Sequence, residues 1–122
     1  MKLFGMTEPP KVLAAQPPKV LALTEKDNGS SVIAVKDDRI VINLAWNPSS
    51  GFFWQEADTT AGVLEEVKHD PGDVKPGSIA RVTFKFKIIN EGTIQLHYAR
   101  PWVETEPPAK WFMVNVKYLV QE

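Results

Sequence analysis

"ARVTFKFKI", residues 80–88, decides how this chain folds. Val82, Phe84, Phe86 and Ile88 take every second place, and Arg81, Thr83, Lys85 and Lys87 fill the places between. A β-strand turns successive side chains to opposite faces, so this pattern collects the apolar groups on one side and the polar ones on the other. A helix would scatter both sets around its circumference. The run Ile79–Ile88 therefore predicts an antiparallel strand with one face in a core and the other in water.

The same period recurs on both sides of it. Arg39–Ala45 places Ile40, Ile42 and Leu44 on one face, and Gly92–Ala99 does so with Ile94, Leu96 and Tyr98. Lys110–Val120 sets Phe112, Val114, Val116 and Tyr118 against Trp111, Met113, Asn115 and Lys117. Lys19–Leu23, Val32–Val35 and Phe52–Glu56 are shorter runs of strand length. "VLEEVK", Val63–Lys68, has apolar residues at both helical and strand offsets and stays open between the two. No segment sustains a helical period. The ten prolines agree with this division, because proline removes a ladder donor and none falls inside a proposed strand. About seven or eight short strands broken at this spacing predict an all-β fold, an immunoglobulin-like antiparallel β-sandwich, with a small barrel as the alternative.

At 122 residues with 43% hydrophobic content, the chain has the material for one domain and one core. A formal net charge of -1 provides no electrostatic surplus for phosphate backbones or anionic bilayers, so neither nucleic acid nor membrane is expected as a partner. The chain is expected to be a monomer. The absence of cysteine excludes a disulfide framework, a thiolate metal site and a Cys nucleophile. Gly5, Glu8, Pro9 and Pro10 interrupt any signal-peptide core near the start, and no later stretch is apolar enough to span a bilayer. Secretion or a periplasmic location would need an export signal already removed. "PPKVLA" occurs twice, at Pro9–Ala14 and Pro17–Ala22. The expected organisation is an N-terminal proline-containing arm over 1–16 and a domain over 17–122, with the second copy entering as the first strand.

Enzymatic chemistry finds little to work with. His69 and His97 lack metal-pair spacing, and His97 falls on the outward side of its strand. Ser49 and Ser50 lack the strand–Gly-x-Ser-x-Gly–helix context of an activated nucleophile. Glu104 and Glu106 read as a solvated loop rather than a carboxylate pair. No catalytic residue, metal ligand or cofactor is expected, and the protein is read as a non-enzyme. Asn28-Gly29-Ser30 fits a glycosylation sequon, which matters only in a eukaryotic secretory pathway.

Two loops carry the unusual chemistry. In "NPSSGF", residues 47–52, Asn47 can bond its own following backbone, Pro48 fixes φ, Gly51 permits positive φ, and Ser49 and Ser50 present backbone with little bulk. The result is a stiff, narrow wedge. In "RPW", Arg100 is extended by the following Pro101, and Trp102 is held out with little freedom left to lose on binding. A third break, "HDPGDVKPGS", adds Gly72 and Gly77. Sandwich loops cluster at the two ends of the fold, so loops distant in the chain can lie side by side.

"NPSSGF" followed by Trp54, and "RPW" before a final alternating strand, resemble the chagasin-type inhibitors of papain-like cysteine peptidases over about Lys19–Val120. That family's pattern is NPTTGY/F, GxGG and RPW in three loops of an immunoglobulin-like sandwich. Here Ser49-Ser50 stands for Thr-Thr, and Lys75-Pro76-Gly77-Ser78 keeps only Gly77 of the middle motif. The resemblance implies a reversible, non-covalent inhibitor of papain or cathepsin L-like enzymes. It implies contact with the peptidase through Asn47, Pro48, Ser49, Ser50, Gly51, Phe52, Gly77, Arg100, Pro101 and Trp102. The alternative reading is a non-catalytic carbohydrate-binding or adhesion module that stacks sugar rings on Trp102 and Trp46.

Overall fold

A computed structural model describes residues 18–72 and 79–120. The expected N-terminal arm, 1–16, lies outside them. Eight strands are seen: β1 (Val20–Leu23), β2 (Ser31–Val35), β3 (Arg39–Trp46), β4 (Phe53–Glu56), β5 (Gly62–Asp70), β6 (Ala80–Ile88), β7 (Gly92–Ala99) and β8 (Lys110–Leu119). Short 3-10 helices cover Glu25–Asp27 and Pro48–Ser50. The strands form two four-stranded sheets, in the orders β1-β3-β6-β5 and β2-β8-β7-β4.

The alternating residues make the core as their period requires. Ile40, Ile42 and Leu44 of β3 and Val82, Phe84, Phe86 and Ile88 of β6 are buried from one sheet. Ile94 and Leu96 of β7 and Phe112, Val114 and Val116 of β8 meet them from the other. Arg81, Thr83, Lys85 and Lys87 stay partly exposed on the outer face.

The inner pairings β3–β6, β5–β6, β4–β7 and β7–β8 are antiparallel, as expected. The strands β1 and β2 instead pair parallel, with β3 and β8 respectively. The reason is that the chain shuttles between sheets. β1 runs along one sheet, β2 returns along the other, and β3 comes back beside β1 in the original direction.

The open stretch Val63–Lys68 is strand, inside β5. Leu64 pairs with Phe86 and Glu66 with Lys85, which leaves Glu65 as an extra residue in a bulge. Leu64 and Val67 therefore oppose the neighbouring core residues Phe86 and Phe84 although they stand three apart in the chain. This accounts for the helical offset in the sequence. The bulged Glu65 accepts from Arg39 Nε at 2.7 Å.

Polar groups close the side of the sandwich where the chain crosses over. β3 runs on past the last residue of β1, and the Glu25 carboxylate takes the amide of Ala45 at 2.5 Å. Burial alone would raise the pKa of Glu25, but that amide together with the Arg81 guanidinium lowers it below the ordinary value. Asn28 does the same for β8, accepting from Met113 N at 2.9 Å and donating to Trp111 O at 3.1 Å.

Asp38, in the turn from β2 to β3, is the one fully buried charged residue among the described residues. Its carboxylate accepts from Lys19 Nζ at 2.6 Å, Lys19 N at 2.9 Å and Val35 N at 2.9 Å, tying the start of β1 to the turn. Burial would raise its pKa, yet these donors outweigh it and hold the carboxyl below the ordinary range. A depressed pKa contributes stability above about pH 4 that is lost as the pH falls through the folded-state value. Asp38→Ala leaves two backbone donors without their partner and is expected to cost about 2–4 kcal/mol in urea unfolding at neutral pH. The variant should also show a shallower loss of stability between neutral pH and pH 2 than the parent; an identical acid limb would remove Asp38 from this role.

Candidate functional site

Strand register brings the stems of the three loops to one end of the sandwich. Trp46, the last residue of β3, lies opposite Ala80, the first of β6, and Asp70 at the end of β5 lies opposite Arg81. In the other sheet Phe53 opens β4 opposite Ala99 at the end of β7, and Tyr98 faces Lys110 at the start of β8. The connections 47–52, 71–79 and 100–109 all leave from this end. Residues 73–78 are not among those described, so Gly77 and the rest of Lys75–Ser78 lie outside them. Their stems are seen: Gly72 has φ 81° and donates to Asp70 Oδ1 at 3.0 Å, and Ile79 is exposed.

The first loop is rigid for local reasons. Pro48–Ser50 form one 3-10 turn, capped at its start by Asn47, whose Oδ1 accepts from Ser49 N at 3.1 Å and Ser49 Oγ at 2.8 Å. Ser50 N and Oγ donate to Asn47 O at 3.1 and 2.7 Å, and Ser50 Oγ accepts from Phe52 N at 3.1 Å. Gly51 ends the turn at φ 81°, ψ -4°, the left-handed conformation that side chains disfavour. Both serine hydroxyls are thus committed to the loop's own backbone and cap, as structural groups and not as nucleophiles. Asn47, Pro48, Ser49 and Ser50 are exposed, and Asn47 N donates to the Tyr98 hydroxyl at 3.1 Å.

The third loop is held from within. Val103 N donates to Arg100 O at 3.1 Å, and Ala109 N donates to Tyr98 O at 2.8 Å. The Arg100 guanidinium grips Glu106 with two bonds, Nε to Oε1 at 2.7 Å and Nη2 to Oε2 at 2.5 Å. This bond keeps the Glu106 carboxyl below the ordinary carboxylate range. Glu106 is therefore not the freely solvated residue the sequence suggested, although Glu104 is exposed as expected. Pro101 is exposed, and Trp102 is 63% exposed.

The two loops touch. A methyl placed on Gly51 would stand 3.0 Å from Trp102 Cζ2, 3.2 Å from Cη2 and 3.7 Å from Arg100 Cδ. A side chain at 51 would press the indole back by a few tenths of an ångström, and glycine is also the residue that the turn needs. Phe52 stacks on Tyr98 with centroids 5.5 Å apart, and Arg100 lies over the Phe52 ring at 5.1 Å. Trp54 is buried, with its ring 5.0 Å from that of Tyr98 and its Nε1 donating to Ala45 O at 2.9 Å. Phe52 and Trp54 thus lie beneath the wedge.

Sequence reasoning missed a row of rings that joins the loop stems. His69 meets Trp46 edge-on at 4.8 Å, Trp46 meets Phe53 at 5.8 Å, and Phe53 meets Trp102 at 6.3 Å. The row passes from β5 and β3 in one sheet to β4 and the third loop in the other. The doubled Phe52-Phe53 was its signal, because adjacent residues entering a strand face opposite ways and both were aromatic. Trp46 is half-buried, hemmed by Phe53 and His69, and its Nε1 donates to Phe52 O at 3.1 Å. It is not the open platform that sugar stacking on Trp46 would need. His97 lies on the outer face as expected, but half-buried against Trp111 at 5.4 Å.

Known proteins share the fold of this chain. Over residues 34–116 the chain matches the chagasin family peptidase inhibitor I42. Amoebiasin-2 of Entamoeba histolytica is 32% identical over 100 residues, covering 77% of this chain and 81% of its own. The crystal structure of the cysteine protease inhibitor EhICP2 from the same organism superposes with a TM-score of 0.73 at 25% identity, covering 86% of this chain and 100% of that one. PbICP-C, solved in complex with falcipain-2, shares the fold at a TM-score of 0.55 and 14% identity, over 83% of this chain and 99% of that one.

Gly51→Ala tests the contact between the loops. Left-handed strain of about 1–2 kcal/mol and the displaced indole should lower the melting temperature by roughly 4–16 °C and move the Trp102 side-chain NMR signals. Unmoved Trp102 signals would show that the ring does not rest on Gly51.

Proposed function

We propose a mode of action from one premise: this chain belongs to the chagasin family of peptidase inhibitors. It is an inhibitor and not an enzyme, and its targets are papain-like cysteine peptidases; EhICP2 is by its title a cysteine protease inhibitor. Inhibition is reversible and non-covalent. The loop Asn47–Gly51 enters the active-site cleft, while Pro101 and Trp102 pack on its rim. Phe52 and Arg100 hold the two loops in register, and Gly77 belongs to the loop that would grip the other rim.

The observation that carries this reading is the packing of the Trp102 indole on Gly51. A peptidase cleaves a backbone presented in extended form, with its scissile carbonyl in line with the nucleophile. The turn Pro48–Ser50, closed by Gly51 at positive φ, is far from extended and cannot easily become so while Asn47 caps it and Trp102 lies against it. The small side chains of Ser49 and Ser50 suit a narrow slot, and their hydroxyls, already hydrogen-bonded, keep the turn in shape.

Rigidity before contact explains how such a small surface can bind tightly. An interface of about 800 Å² per partner is enough when few rotamers remain to be frozen. The exposed Trp102 between ordered neighbours has the character of a binding hot spot. Trp102→Ala is expected to weaken inhibition of papain by about 30- to 1000-fold, or 2–4 kcal/mol, with little change in melting temperature because the ring is mostly in solvent. Active-site titration of papain measures this directly. Equal potency of variant and parent would take Trp102 out of the interface, and failure of the parent at stoichiometric concentration would remove papain as a target.

A further inference from the structure

Arg100 is turned inward. One edge of its guanidinium is occupied by the two Glu106 oxygens, its plane lies over Phe52, and its stem borders Gly51. Phe52 in turn stacks on Tyr98, whose hydroxyl accepts the Asn47 amide. A continuous line of contacts thus runs from Glu106 in the third loop to Asn47 at the head of the first. Glu106 is itself fastened to the turn that carries Trp102, because its amide donates to Val103 O at 3.3 Å and Val103 N donates to Arg100 O at 3.1 Å. The pair is partly exposed, with side-chain exposures of 38% for Arg100 and 30% for Glu106, so the enzyme would meet a guanidinium whose strongest partner is already in place.

We propose that Glu106 is a positioning residue for inhibition: it locks Arg100 as a strut between the two loops, and Arg100 acts through that strut rather than as a direct ligand of the peptidase. The inference rests on the cleft-blocking role proposed above and deepens it. A fork between guanidinium and carboxylate sets both distance and plane, which a single-point contact does not. Fixing that plane over Phe52 fixes the course of residues 100–106, and with it the place where the Trp102 ring meets Gly51. Without Glu106 the long Arg100 side chain regains its rotamers, and ordering it again on binding weakens the complex.

The test is a double-mutant cycle on the inhibition constant for papain, with Arg100→Ala, Glu106→Ala and both together. Each single change should weaken inhibition about 10- to 100-fold, and the double variant should be no weaker than the worse single one, since the two residues act as one unit. A Glu106→Ala variant as potent as the parent, or losses that multiply in the double variant, would overturn the inference and return Arg100 to direct contact with the enzyme. Melting temperatures within a few degrees of the parent keep loss of folding apart from loss of positioning. Amide hydrogen exchange of the free protein supplies a second readout that needs no peptidase. Val103 and Glu106 should exchange faster in Glu106→Ala while β7 and β8 are unchanged, and equal exchange would overturn the strut. Should the parent fail to inhibit papain while exchange behaves as expected, the choice of enzyme fails and the strut stands.

Discussion

Everything at the working end of this protein depends on strand register, and burial enforces that register. Side chains alternate with a period of two, so a slip of one residue between β3 and β6 would carry Phe84 and Phe86 out of the core and bring Lys85 and Lys87 in. The cost of burying unpaired ammonium groups makes the slipped sheet inaccessible. The same logic holds β7 against β8, where Leu96 and Phe112 face the core together. Register then determines that Trp46 ends opposite Ala80 and that Tyr98 faces Lys110, and so the loops that follow begin at one level.

On that base, aromatic rings join the two sheets where ladder hydrogen bonds cannot. Ladder bonds run within a sheet, and the loop stems at this end come from both sheets. The rings of Trp46 and Phe53 bridge them, and each stays half-buried, sheltered enough to pack and near enough to the surface to support a loop. Trp54 and Trp46 both tie indole N–H groups to backbone carbonyls, at Ala45 and Phe52, which secures the stems of the first loop on either side. Trp102 lies mostly in solvent. Trp46 and Trp54 therefore hold the site, and Trp102 is the tryptophan that it presents.

The side of the sandwich follows a different rule. Where β1 and β2 stop short, carboxylate and amide side chains of the crossover take up the amides that the neighbouring strands still offer. Asp38 does the same inside the turn from β2 to β3, with Lys19 as its counter-charge. Polar side chains thus replace missing backbone partners, and the sheet edges near the crossover are closed without lengthening the strands.

Local pattern by itself determined the strands, the prolines' places, the single core and the stiffness of both loops, because alternation, fixed φ and positive φ are properties of neighbouring residues. Even the ambiguous "VLEEVK" carried its true signal, a bulge that shifts apolar residues to a spacing of three. The family resemblance was legible for the same reason, since its motifs are contiguous. Which distant residues meet was decided only by the tertiary structure. The Asn47 amide finds a hydroxyl 51 positions away, Glu106 takes the guanidinium of Arg100, Trp46 is enclosed while Trp102 is left open, and β1 and β2 pair parallel. None of these follows from a local period, because each is a meeting in space that exists only after two sheets have closed on one another and set the height and angle of every loop they carry.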